Sequence, residues 1–114
     1  MYYLFGISNC DTVKKARTYL EKKSISFQFV DFKKAAPTVE LILLWQKAFG
    51  DLAINAKGQT YKKHSAEFEK LTFQERVHFL IKYPSMIKRP ILQKEKTVLC
   101  FGFDEKEYSK ILGV

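Results

Sequence analysis

The stretch Tyr2-Tyr3-Leu4-Phe5-Gly6-Ile7-Ser8-Asn9-Cys10-Asp11-Thr12-Val13-Lys14-Lys15-Ala16-Arg17 decides the fold. Residues 2–7 form an apolar run of strand length, and from Asp11 onward Val13, Ala16 and Leu20 recur at i, i+3 and i+7. That period predicts a helix over 11–23. Residues 26–31 alternate, Phe27 and Phe29 against Gln28 and Val30, and predict a second strand parallel to the first across a helical crossover. Such crossovers are right-handed, so the loop holding Cys10 falls at the carboxyl end of the first strand, where open α/β sheets bind ligands.

Cys10 stands at the start of the predicted helix, where backbone N–H groups lack intrahelical partners and the helix dipole is positive. Lys14 and Arg17 follow at spacings of four and three residues, on the same helix face, and Lys15 adds a further charge. A thiol in such surroundings is expected to favour the thiolate, the form that acts as nucleophile. Asp11 and Thr12 suit helix capping better than acid or base work.

The whole chain of 114 residues fits one domain, 1–114, with 46% hydrophobic and 28% charged residues. No apolar run approaches the ~20 residues of a membrane-spanning helix, and the N-terminus lacks the pattern of a signal peptide. Cys10 and Cys100 are the two cysteines, too few for a disulfide-built secreted domain. A cytoplasmic protein with free thiols is therefore expected. The net charge of +8 favours anionic partners. His64 and His78 lack further ligands at metal spacing, so no metal site is expected. The ten phenylalanines and six tyrosines form no ladder interleaved with basic residues, which argues against nucleic-acid stacking.

Beyond the second strand, Pro37 and Thr38 open a predicted helix over 39–49 that presents Leu41, Leu44, Trp45 and Ala48 on one face and stops at Gly50. Residues 52–61 lack a period, and Asn55-Ala56-Lys57-Gly58-Gln59 reads as a turn suited to binding. Ser65 is expected to open a short helix over 67–71. Thr72 and Glu75 form a capping box for another, with Phe73, Val77, Leu80 and Ile81 facing inward until Pro84 ends it. Pro90 holds Arg89 extended ahead of a third strand. Residues 93–96 read as a turn and 97–101 as a fourth strand, in a hairpin with 91–93, with Cys100 a core residue. Asp104 and Glu107 are expected to cap a last helix that presents Tyr108, Ile111 and Leu112 to the sheet. The order is βαβ, a helical insertion over about 37–87, then ββα: an α/β chain with a central mixed sheet, arranged as in thioredoxin-like folds.

Four motifs in this order, Gly6 through Ala16, Asn55-Ala56-Lys57-Gly58-Gln59-Thr60-Tyr61-Lys62-Lys63, Ile87-Lys88-Arg89-Pro90-Ile91-Leu92 and Gly102-Phe103-Asp104, resemble the arsenate reductase (ArsC)/Spx family, most closely its YffB-like branch. The resemblance spans nearly the whole chain. It implies a thioredoxin-like fold, a one-thiol site at Cys10 and a cis proline at Pro90. It also implies thiolate or anion binding by the helix start at Asp11, Thr12 and Val13 together with Lys14, Lys57 and Arg89.

For the YffB-like branch the implied activity is a glutathione-dependent thiol reductase, with glutathione as co-substrate and a glutaredoxin as protein partner. Two alternatives stay open: an Spx-like regulator that binds RNA polymerase or another acidic protein, and a true arsenate reductase. Arsenate reductases of the family use several arginines, and the guanidinium suits this role because it binds an oxyanion bidentately. Here Lys57 stands where YffB-like members usually carry arginine, Phe101 stands where arsenate reductases place a late arginine, and Ile7-Ser8-Asn9 replaces a His-Asn-Pro segment. Spx-like proteins often carry Cys-X-X-Cys. Val13 occupies the second position, so no disulfide forms within the site, and Cys10 would form a mixed disulfide that an external thiol resolves.

Overall fold

The structure, a computed structural model, describes residues 1–114. The element order is β1 (Tyr2–Gly6), α1 (Asp11–Lys22), β2 (Phe27–Asp31), α2 (Val39–Phe49), α3 (Gln59–Glu69), α4 (Phe73–Lys82), a 3-10 turn at Pro84–Met86, β3 (Ile91–Lys94), β4 (Thr97–Phe101) and α5 (Glu105–Leu112). No helix is long and apolar enough to cross a membrane. The chain divides into two compact units, one made of residues 1–31 and 89–114, the other of residues 32–88.

The first unit holds a four-stranded mixed sheet in the order β2-β1-β3-β4. β1 pairs in parallel with β2 and antiparallel with β3, and β3 with β4 is an antiparallel hairpin whose register shifts between Leu92 and Gln93. The expected turn over 93–96 is shorter than the sequence suggests. Gln93 and Lys94 stay in the strand because Tyr3 and Tyr2 of β1 pair with them, and Glu95, with φ at 50°, turns the corner.

α1 lays its predicted stripe on the sheet: Val13, Ala16 and Leu20 are completely buried. Ala16 and Leu20 join Leu4, Leu92, Cys100, Tyr19 and the α5 residue Tyr108 in one apolar cluster. Burying this surface is the main stabilisation of the unit, at about 25 cal/mol per Å² of apolar area. α5 begins at Asp104, whose carboxylate accepts the Lys106 amide at 2.9 Å. Glu107 lies inside the helix and does not serve as the cap.

The second unit is helical. Thr38 caps α2 by accepting the Leu41 amide at 3.2 Å. The buried residues of α2 are Ile42 and Trp45, with Trp45 against Phe32 at 5.8 Å between ring centroids. Ala48 is exposed and Leu41 and Leu44 are half-buried, so the expected face is rotated toward Ile42. α3 starts at Gln59, well before the helix expected over 67–71. Its N-cap is Gly58, whose lack of a capping side chain hides the start from sequence patterns. Ser65 lies inside α3. The capping box of Thr72 and Glu75 is present in full, and α4 buries Val77 and Leu80 while Phe73 at its first position is 47% exposed. A lone bridge pairs Ile54 with Ile87, and the Lys88 amide donates to the Ala53 carbonyl at 2.8 Å.

Candidate active site

Gly6, the last residue of β1, pairs with Asp31, and Phe5 pairs with Ile91 at the start of β3. That register sets Pro90 and Arg89 at the carboxyl end of β1, the end from which residues 7–10 lead into α1. The approach of β1 to α1 is tight: a Cβ on Gly6 would meet Val13 Cγ2 at 2.8 Å. A residue without a side chain at position 6 therefore lets the first turn of α1 close over the strand.

Cys10 is the N-cap of α1, with extended backbone at φ −97° and ψ 126°. Its carbonyl accepts the Lys14 amide at 3.0 Å, which starts the helix, and its amide donates to the Ile7 carbonyl at 3.4 Å. No side chain makes a capping hydrogen bond at this terminus. The amides of Asp11, Thr12 and Val13 thus lie in the helix turn that follows the half-exposed sulfur-bearing residue. The start of a helix is where backbone N–H groups lack intrahelical partners and the dipole is positive. Lys14 is exposed one turn along the helix. Arg17, three residues further on, stacks its guanidinium over the Phe29 ring of β2 at 4.2 Å.

The Arg89–Pro90 peptide bond is cis. Pro90 is buried and Arg89 half-buried. The Gly102 amide donates to the Pro90 carbonyl at 2.7 Å, tying the exit of β4 to this proline. Tyr108 then holds Gly102, its buried hydroxyl donating to the Gly102 carbonyl at 3.0 Å. Pattern reading missed this support. Its one signal in the sequence is the Gly102-Phe103-Asp104 motif.

Cys100 is set apart from the site chemically. It is 6% exposed within the apolar cluster, and its Sγ donates weakly toward the Phe101 carbonyl at 3.7 Å. Burial pushes its thiol up to about 11, with the carboxylates of Glu107 and Asp104 adding to the effect. It stays a protonated, inert thiol at neutral pH.

The structure thus brings Cys10, Asp11, Thr12, Val13, Lys14, Arg89 and Pro90 into the sheet-bearing unit. Lys57 belongs to the helical unit, where it is exposed on a turn closed by the Gly58 amide donating to the Asn55 carbonyl at 3.0 Å.

The ArsC family model matches residues 5–111. The chain belongs to the ArsC family. ArsC-family resemblance extends to an uncharacterized protein of Haemophilus influenzae, 31% identical over 110 residues that cover 95% of this chain and 96% of that one. The global transcriptional regulator Spx 2 of Bacillus anthracis is 26% identical over 116 residues, covering 98% and 87%. Among solved structures, a YFFB protein superposes with a TM-score of 0.83 at 30% identity and covers 98% of this chain and 99% of its own. The expected thioredoxin-like α/β fold of the ArsC type is thereby shown.

Proposed function

We propose that this protein is a glutathione-linked thiol reductase that works with one cysteine. The observation that carries the reading is Cys10 as the N-cap of α1, with no side-chain capping bond, at the strand end where Arg89 and Pro90 lead into β3, while the second cysteine is buried. The Cys10 thiolate attacks the glutathione sulfur of a mixed disulfide. A bond forms between Cys10 and glutathione, and the substrate leaves as a thiolate that takes a proton from solvent. A second glutathione, as its thiolate, attacks the glutathione sulfur of this adduct, releases oxidised glutathione and restores the Cys10 thiolate. The amides of residues 11–13 hold the thiolate in both half-reactions, and Lys14 assists from one turn away. Arg89 supplies a cation for a glutathione carboxylate, with a bidentate fork.

The chain also resembles a protein named as a transcriptional regulator over 98% of its length, which supports a second reading as a non-enzymatic regulator. One assay separates the two. A glutathionylated peptide is supplied with reduced glutathione, and oxidised glutathione is measured for the wild type and Cys10→Ser. Turnover lost in Cys10→Ser supports the reductase; no turnover by the wild type overturns it.

A further inference from the structure

α1 does more than present Cys10. In the sheet-bearing unit its outer face forms one wall of a cleft of about 400 Å³, lined by Lys14, Lys15, Thr18, Tyr19 and Lys22 of α1 and by Phe103 after β4. Glu105 at the start of α5 completes the lining, so three lysines share the cleft with one carboxylate. Lys15, Thr18 and Lys22 are exposed, and no ion pair is formed by any of the three lysines. The floor is aromatic: Phe103 lies against Tyr19 at 5.7 Å between centroids. Tyr19 is 6% exposed, and its buried hydroxyl has no hydrogen-bond partner in the protein. A buried donor left unsatisfied is unfavourable, and an acceptor delivered along this wall would relieve it.

Length and charge together narrow the occupant. Lys14 lies one turn from Cys10, and the wall runs eight residues of helix from Lys14 to Lys22, about 12 Å. That distance matches about four residues of extended chain. An extended segment leaving a glutathionylated cysteine held beside Cys10 would thus meet a row of lysines with an aromatic floor. We infer that this cleft binds the acidic peptide segment flanking the reactive cysteine of a protein disulfide substrate. The inference rests on the reductase reading and assigns its substrate class: glutathionylated proteins whose modified cysteine lies beside aspartates or glutamates.

Two peptides of equal length test it, each with one glutathionylated cysteine, one flanked by aspartate and glutamate, the other by asparagine and glutamine. The expected kcat/KM favours the acidic peptide about tenfold at low salt and loses that preference as salt is raised. In Lys15→Glu/Lys22→Glu the ratio between the peptides falls to one or below, and in Tyr19→Phe it falls severalfold with no loss of melting temperature. Equal kcat/KM for the two peptides in the wild type, or an unchanged ratio in the double variant, overturns the inference. Since both peptides carry glutathione, recognition of its own carboxylates alone gives that equal result.

Fluorescence anisotropy with the same peptides carrying serine for cysteine reads binding without chemistry. Preferential binding without turnover keeps the cleft and sinks the reductase, whereas turnover without preference does the reverse. A single-stranded oligonucleotide that displaces the acidic peptide at lower concentration than an unlabelled copy of that peptide also overturns the inference, in favour of a nucleic-acid surface.

Discussion

The amide of Gly102 donates to the carbonyl of Pro90 at 2.7 Å, so the residue that follows β4 fixes the residue that precedes β3. Gly102 adopts φ +83°, and a Cβ there would meet nothing within 4 Å. The requirement for glycine is conformational, not steric. Gly102→Ala is expected to lose roughly 1–2 kcal/mol and to lower reductase turnover by loosening Pro90. Tyr108→Phe, which removes the donor to the Gly102 carbonyl, is expected to lose about 1 kcal/mol with a smaller effect on turnover. Thermal melts paired with the glutathione assay check both; wild-type turnover in Gly102→Ala would show that this bond does not support the site.

Cys100 predicts an alkaline limit to stability. Its folded thiol is raised from 9.0 to about 11 by burial, then by Glu107 and Asp104. The unfolded chain therefore releases this proton first as pH rises. The stabilisation is complete below about pH 9 and is lost as pH climbs through about 11. Burial raises the Tyr108 phenol in the same direction. Cys100→Val is expected to flatten the fall of melting temperature with pH in this window, with the part owed to Tyr108 persisting. An identical slope in the variant would refute the assignment.

Arg89 carries the anion-binding prediction. Arg89→Lys keeps the charge and removes the planar fork, so the KM for glutathione is expected to rise about tenfold with a smaller change in kcat. Arg89→Met is expected to be worse. Steady-state kinetics at varied glutathione decide this, and an unchanged KM in Arg89→Met would place the carboxylates elsewhere.

Thr72→Ala should reach the helical unit alone. It removes the acceptor for the Glu75 amide at 3.2 Å and leaves the capping box half made. A loss of about 1 kcal/mol is expected, with turnover per folded molecule unchanged.

The sheet-bearing unit was legible because its signals are local and strong: an apolar strand, an i, i+3, i+7 stripe whose members Val13, Ala16 and Leu20 are fully buried, and Pro90 ahead of Ile91. Thr72 and Glu75 announced α4 through side-chain capping. The start of α3 was hidden because Gly58 caps with backbone alone, and the face of α2 shifted because the unbroken apolar run Leu41 to Trp45 leaves its inward face open to periodicity, and Ile42 is the residue buried beside Trp45. At the site, Cys10 and the Arg89–Pro90 pair could be found from sequence. The stacking of Arg17 on the Phe29 ring is not legible in the sequence, because that ring comes from β2. The support of Gly102 by Tyr108 likewise depends on how α5 folds back on β4.

The most direct test of the one-thiol mechanism is mass spectrometry of the protein during turnover of a glutathionylated peptide. The mechanism predicts one glutathione adduct per chain, located on Cys10, formed at full rate in Cys100→Val and absent together with all turnover in Cys10→Ser. Turnover that persists in Cys10→Ser, or an intramolecular disulfide between Cys10 and Cys100 as the species that accumulates, would contradict it.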